Sequence, residues 1–492
     1  MSATVEASVT GQRAVRDGVL LNHIGGAWCD AGDGARGANL DPATEEPLHE
    51  VVVSSAQDAE AALHAAHDAL REWRRSSVFD RAQVVRGAAA LLRERAETIA
   101  RNLTLEEGKP LPEALAEVIR SAEALEVYAG LAYRATGEVL AGHRPHEQWT
   151  WTTSAPLGVV VVISPWNFPL LLPAAKIVAA LVAGNTVVFK PADPTPLTAA
   201  ALVMAFEDAG LPAGVLNLVL GRGSKLGPAL LKSPAAAVTF TGGNATGKAV
   251  AAAALEHHLK YQLELGGNNP ALVLADADVD LTVRELALGA FGSTGQKCTA
   301  TRRVFVVDEV FDAVAARLTA AIADLRLGSG IDPQTKVGPL VSAQARDDFE
   351  SDVGDAESHG ATVRRFGDLP ERGYYARSTI LLEPDPAADY VQRETFGPMV
   401  SLMRVSDYHE GVERCNATHY GLSASLFSTS MKRAIEWVED IDAGMVHVNS
   451  QTPGAEPHMP FGGMKASSNF SREFGRWGLE WYTQLKSVYV EG

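Results

Sequence analysis

Leu157-Gly158-Val159-Val160-Val161-Val162-Ile163 opens the part of the chain whose reading decides the fold. The β-branched run from Val159 to Ile163 is followed by helix-length sequence and then by three more such runs: Thr186-Val187-Val188-Phe189, Val215-Leu216-Asn217-Leu218-Val219 and Ala237-Val238-Thr239-Phe240. Continuous apolar runs separated by helices are what strands buried on both faces look like, and this spacing predicts a doubly wound, Rossmann-like α/β region. A second α/β run begins near Pro270, with Ala271 to Leu274 and Val304 to Val307, and continues to about Val448. Upstream, from about Ala56 to Tyr133, Ala-rich sequence carries apolar residues at helical spacing. The tail from Gln484 to Val490 mixes polar and apolar residues and is expected to pair as an edge strand with another subunit.

Bulk properties narrow the classes. At 492 residues the chain exceeds one hydrophobic core, so two or three domains are expected, and 46% hydrophobic residues can fill them. With 43 Lys plus Arg against 60 Asp plus Glu, the net charge of −17 repels phosphate backbones and anionic lipid, which excludes nucleic acid and membrane surfaces as expected partners. Three cysteines, Cys29, Cys298 and Cys415, with no CxxC pair, suit neither a disulfide framework nor a metal site. No apolar run of export-signal length follows Arg13 and Arg16, and no run approaches the roughly 20 residues of a membrane helix, so a cytoplasmic protein is expected.

Chemistry concentrates in a few short segments. Cys298 lies in Gly295-Gln296-Lys297-Cys298-Thr299 and Glu264 in Leu263-Glu264-Leu265-Gly266-Gly267. A thiol that can ionise and a carboxylate that can act as a base are the two groups needed to take an aldehyde to an acid through a thioester. A lone cysteine is more often a buried structural residue, and a glutamate at a strand end is often only a surface charge. Asn167 stands between aromatic residues and two prolines that restrict its backbone. The stretch Phe240-Thr241-Gly242-Gly243-Asn244-Ala245-Thr246-Gly247 puts glycines at a strand-to-helix turn, where free N–H groups favour a pyrophosphate, although it is not the GxGxxG fingerprint.

Together with Pro165-Trp166-Asn167-Phe168-Pro169, Phe189-Lys190-Pro191-Ala192-Asp193 and Glu394-Thr395-Phe396-Gly397-Pro398, these segments resemble the NAD(P)-dependent aldehyde dehydrogenase superfamily, in family order from about Ile24 to the C-terminus. The resemblance implies an aldehyde dehydrogenase fold: a cofactor domain (18–135 and 155–265), a catalytic domain (266–465) and a small β oligomerisation element (136–154 and 480–492) that builds a homodimer or homotetramer. It implies Cys298 as nucleophile, Glu264 as the base for thioester hydrolysis, Asn167 as an oxyanion donor with the nucleophile's backbone N–H, and Glu473 in proton relay. Trp166, Lys190, Asp193, Gly242, Gly243, Gly247, Glu394 and Phe396 are implied at the cofactor, and Phe168 and Phe461 in the substrate tunnel.

An acidic residue at Asp193 implies a preference for NAD, with NADP as the alternative. Gly243-Asn244 departs from the usual Ser-Thr of the family. The segment Thr452 to Lys465 is similar to the 2-oxoglutarate semialdehyde dehydrogenase branch, implying a small aldehyde with a remote carboxylate; Ala175 and Ala455 stand where some relatives carry aromatics. An uncharged aliphatic or aromatic aldehyde is the other reading. Rivals of other kinds are a CoA-acylating relative, a non-catalytic scaffold, and a cysteine hydrolase using His447 or His458. Retention of both Glu264 and Cys298 disfavours the first two.

Overall fold

The computed structural model describes residues 13–134, 136–144 and 148–491. Most of the N-terminal segment read for an export signal and part of the expected hairpin lie outside them. Four helices, Ala56–Trp73, Val78–Glu94, Ala96–Glu107 and Leu111–Leu131, occupy the Ala-rich region. Ser55 and Asp58 start the first by reciprocal capping: the Asp58 carboxylate accepts the Ser55 N–H at 2.8 Å while the Ser55 hydroxyl accepts that of Asp58.

The first sheet has seven strands, in the order Lys260–Glu264, Ala235–Thr241, Val159–Ile163, Thr186–Lys190, Leu216–Leu218, Asn22–Ile24 and Ala27–Cys29. The first five are parallel. Strand limits differ from the sequence reading by a residue or two at most. The Asn22–Cys29 hairpin was not expected, being too short to show an alternation; it extends the sheet edge antiparallel through Leu218 and His23. From Val159–Ile163 the chain winds outward to Leu216–Leu218, then returns to the other side at Ala235–Thr241. Strand order reverses between these neighbours, and the crevice at their carboxyl ends is where open α/β sheets hold ligands. Helix Leu171–Val182, which follows the first of them, is buried along its whole length.

The second sheet also has seven strands: Thr362–Phe366, Ser378–Leu382, Met399–Val405, Thr301–Val307, Asn269–Val273, Ser423–Phe427 and Met445–Val448, parallel but for the first pair. A third sheet joins Thr483–Glu491 to Gln148–Pro156 and Val139–Leu140. The C-terminal strand thus pairs with its own chain, Thr483 opposite Pro156 and Glu491 opposite Gln148, and only its other edge has no partner among the described residues. Trp149, Leu485 and Tyr489 are exposed on this sheet. Among the described residues no helix is long and apolar enough to cross a membrane.

Candidate active site

Cys298 follows helix Val279–Phe291 and the short turn Gly292–Gly295, in which Ser293 and Thr294 have φ of 50° and 57°. Several neighbours pin this backbone. Asn269 Nδ2 donates to the carbonyls of Cys298 and Ala300, both at 2.8 Å. The Arg302 guanidinium donates to the carbonyls of Gly295 and Gly397, tying the Cys298 loop to the Glu394–Pro398 loop. A side chain on Gly267 would collide with the Cys298 carbonyl and one on Gly266 with the Glu394 carboxylate, so the two glycines admit both groups to one place. Burial, and after it the charges of Glu394 and Glu264, push the Cys298 thiol up to about 12, although backbone N–H groups of Cys298 and Thr299 favour its ionised form.

Asn167 is buried, its Nδ2 donating to the Gln296 carbonyl at 3.0 Å, so the amide and the Cys298 loop are in direct register. Its own carbonyl accepts from Lys109 Nζ at 2.5 Å. Lys109 is fully buried, pairs with Glu117 at 2.8 Å and sits 4.3 Å from the Phe168 ring centroid. Glu117 in turn accepts the N–H groups of Leu170 and Leu171 at 2.9 and 3.2 Å, capping the helix after Asn167. One turn earlier, Glu113 accepts from the Ser293 N–H at 3.1 Å and hydroxyl at 2.6 Å and lies 3.6 Å from Lys297. Burial alone would raise Glu113, but Lys297 and the Ser293 hydrogen bonds hold it below the usual carboxylate range. Residues 113 and 117, one turn apart on helix Leu111–Leu131, therefore position the Cys298 loop and the Asn167 loop together.

Glu264 ends strand Lys260–Glu264 and is 1% exposed. One carboxyl oxygen accepts from Ser468 Oγ at 2.6 Å; the other has no hydrogen-bond partner among the described residues. Burial and the nearby Glu473 charge push it well above the ordinary carboxylate value, against opposing effects of Ser468, Lys176 and Arg472. Glu473 is buried and ion-paired to Lys176. Lys176 also donates to Thr239 Oγ1 at 2.9 Å. Lys109, Glu117, Lys176 and Asn269 escaped the sequence reading; a lone lysine within the otherwise apolar Leu171–Val182 was the available signal for Lys176.

Two cavities meet at the thiol. One, of about 360 Å³, lies at the strand-order reversal and is lined by Trp166, Asn167, Gly242, Gly243, Glu394 and Phe396, among others. Trp166 and Phe396 meet edge-to-face at 5.4 Å. Helix Asn244–Glu256 begins here with Gly243 at its N-cap, no side chain capping it and open space above, which leaves N–H groups free for an anion. The unusual Asn244 bridges sideways, accepting from the Gly266 N–H and donating to the Ala466 carbonyl, both at 3.1 Å. Gly247 lies a turn further in, against Leu265, and not on the cavity wall. Lys190 is buried and pairs at 3.0 Å with the exposed Asp193. Asp193 lines a neighbouring cavity with Arg36, Arg222 and Lys225, three cations that the sequence reading did not weigh.

The other cavity, of about 260 Å³, is lined by Phe168, Leu171, Leu172, Phe461, Phe474, Ala455 and Arg120, among others. Cys298 is the one residue common to both walls. Ala175 is instead packed in the core, away from this wall. His447 and His458 line neither cavity, which removes the geometric support for a cysteine hydrolase.

Residues 28–488 match the model of the aldehyde dehydrogenase family. The chain is 39% identical to the alpha-ketoglutaric semialdehyde dehydrogenase of Bacillus subtilis over 96% of its own length and 98% of that protein. It is 36% identical to the 3-sulfolactaldehyde dehydrogenase of Pseudomonas putida over 95% and 96%. Its structure matches that of betaine aldehyde dehydrogenase from Staphylococcus aureus in complex with NAD+, with a TM-score of 0.95, 30% identity and coverage of 99% and 97%. A thiol shared by two cavities, an amide in register with it and matches along nearly the whole length place this chain in the aldehyde dehydrogenase family.

Proposed function

We propose that the protein oxidises a small aldehyde carrying a distal acidic group to the carboxylic acid, with NAD as the acceptor. The position of Cys298 between two separate cavities carries this reading, because the reaction needs one atom within reach of both reactants. The free N–H groups before helix Asn244–Glu256, the Trp166–Phe396 pair and Glu394 fit a dinucleotide, and the NAD+-bound relative has the same fold. When bound, NAD accepts a hydride.

The Cys298 thiolate adds to the aldehyde carbon, forming a C–S bond and an oxyanion. Asn167 Nδ2 and the Cys298 N–H stabilise that charge. Loss of the carbon's hydride leaves a thioester on Cys298. Glu264 then leaves Ser468, takes a proton from water, and the hydroxide displaces the Cys298 thiolate as the acid departs. Glu473, paired with Lys176 and facing Glu264, receives the proton onward. Phe168 and Phe461 wall the aldehyde's approach.

Asp193 favours NAD by accepting from the ribose 2′-hydroxyl, working against Arg36, Arg222 and Lys225. The cofactor unit comprises 18–135 and 155–265, and the catalytic unit 266–465. The oligomerisation element comprises 136–154 and 480–492; exposed apolar residues on the sheet of Val139–Leu140, Gln148–Pro156 and Thr483–Glu491 support assembly into a homodimer or homotetramer, and three unbridged cysteines suit a reducing cytoplasm.

The test supplies NAD with 2-oxoglutarate semialdehyde, succinate semialdehyde, an unbranched aliphatic aldehyde or benzaldehyde and follows the near-ultraviolet absorbance of reduced nicotinamide. Highest kcat/KM is expected for the acid-bearing pair; preference for an uncharged aldehyde overturns the substrate class, and no reduction with any of them overturns the reaction.

A further inference from the structure

Besides the thiol, the aldehyde-side cavity has four ionisable residues in its wall: Glu113, Glu117, Arg120 and Lys297. Three are answered. Glu113 and Lys297 face each other at 3.6 Å, and Glu117 is paired with Lys109 at 2.8 Å. Arg120 is the exception. Among the described residues its guanidinium has no carboxylate within salt-bridge distance, and its one hydrogen bond is a long contact, 3.4 Å, from Nη1 to the Ala455 carbonyl. Arg120 and Cys298 line the same cavity, whose wall is largely apolar, with Phe168, Leu171, Leu172, Phe461 and Phe474.

We propose that Arg120 receives the anionic end of the substrate while Cys298 holds its carbonyl carbon, making Arg120 the specificity-determining residue for acid-tailed aldehydes. A largely apolar cavity whose wall holds both a reactive thiol and an unanswered cation is complementary to a molecule with an aldehyde, a short methylene chain and an anion. The planar guanidinium fork matches the paired oxygens of a carboxylate or a sulfonate, which a point-charge ammonium does not. Lys297 is less suited, because Glu113 already neutralises it and it adjoins the nucleophile in sequence. The inference rests on the proposed acid-tailed substrate class and names the residue that reads it.

The test compares glutarate semialdehyde with pentanal, which share a chain length and differ in the terminal carboxylate, in wild type, Arg120→Ala and Arg120→Lys. In Arg120→Ala the ratio of kcat/KM for the acid over pentanal should fall about tenfold, chiefly through KM, as expected for losing a charge-assisted hydrogen bond at a partly solvated site. Arg120→Lys should keep an intermediate ratio. A ratio unchanged in Arg120→Ala, or lost equally through kcat for both aldehydes, overturns the role of Arg120. A wild type that already prefers pentanal overturns the substrate class itself, so the two failures are told apart by the wild-type measurement.

Discussion

Raising the pH of the cofactor-free protein should unmask Cys298 over a range where an ordinary cysteine has already ionised. With its pKa pushed up to about 12, about one thiol in 30,000 is ionised at pH 7.5, against about one in ten for a free cysteine near 8.5. The thiolate is the nucleophile, so iodoacetamide should modify Cys298 about three thousand times more slowly than a free thiol at that pH. The rate should climb about tenfold per pH unit from 7 to 10 without levelling, because the titration midpoint lies above that range. Peptide mass mapping separates Cys298 from the half-buried Cys29 and the buried Cys415. Glu394→Gln supplies a second arm. Gln can still accept the Gly267 N–H while removing the charge that contributes most after burial, so labelling at pH 8 should quicken. Labelling of the unmodified protein within a hundredfold of a free thiol at pH 7.5, or a plateau below pH 9, would refute the account of burial and carboxylate charge.

Glu264→Gln should give a burst of reduced cofactor of about one per active site and then stall; since Glu264 lies well above the ordinary carboxylate range, wild-type thioester hydrolysis should quicken as pH rises and the variant should lose that dependence. Loss of the burst would point to another role for the carboxylate. Asp193→Ser should raise kcat/KM for NADP relative to NAD by about tenfold, because one like charge is removed from a cavity that also holds Arg36, Arg222 and Lys225; an unchanged ratio would show that Asp193 does not face the ribose. Lys176→Met should cost about 3–5 kcal/mol, read as a lower denaturation midpoint, by leaving Glu473 buried without its counter-charge, and an unshifted midpoint would contradict the pairing.

The parallel strands were legible because burial on both faces leaves uninterrupted β-branched runs such as Val159–Ile163. Short motifs singled out Cys298, Glu264 and Asn167, and the structure brings Asn167 into register with the Cys298 loop. Long-range pairing was not legible. Nothing near Lys176 announces Glu473, nor does anything near Lys109 announce the Asn167 carbonyl, because such partners are joined only by the fold. The same limit hid the pairing of Thr483–Glu491 with Gln148–Pro156 of its own chain, since the local pattern pointed to an edge strand paired with another subunit. Ala175 erred the other way: a position aromatic in some relatives turned out to be core.

Residues 113, 117 and 120 of helix Leu111–Leu131 share a face, and all three line the aldehyde-side cavity. The first holds the loop of the thiol, the second the loop of Asn167, and the third carries the unanswered cation. With a rise of about 1.5 Å per residue, this rigid rod sets the spacing of all three. On the role proposed for Arg120, the helix acts as a gauge: the reach from Cys298 to residue 120 along its register selects the length of the substrate. Chains too short to reach residue 120 from Cys298 forfeit the charge contact, whereas longer ones can extend past it toward solvent.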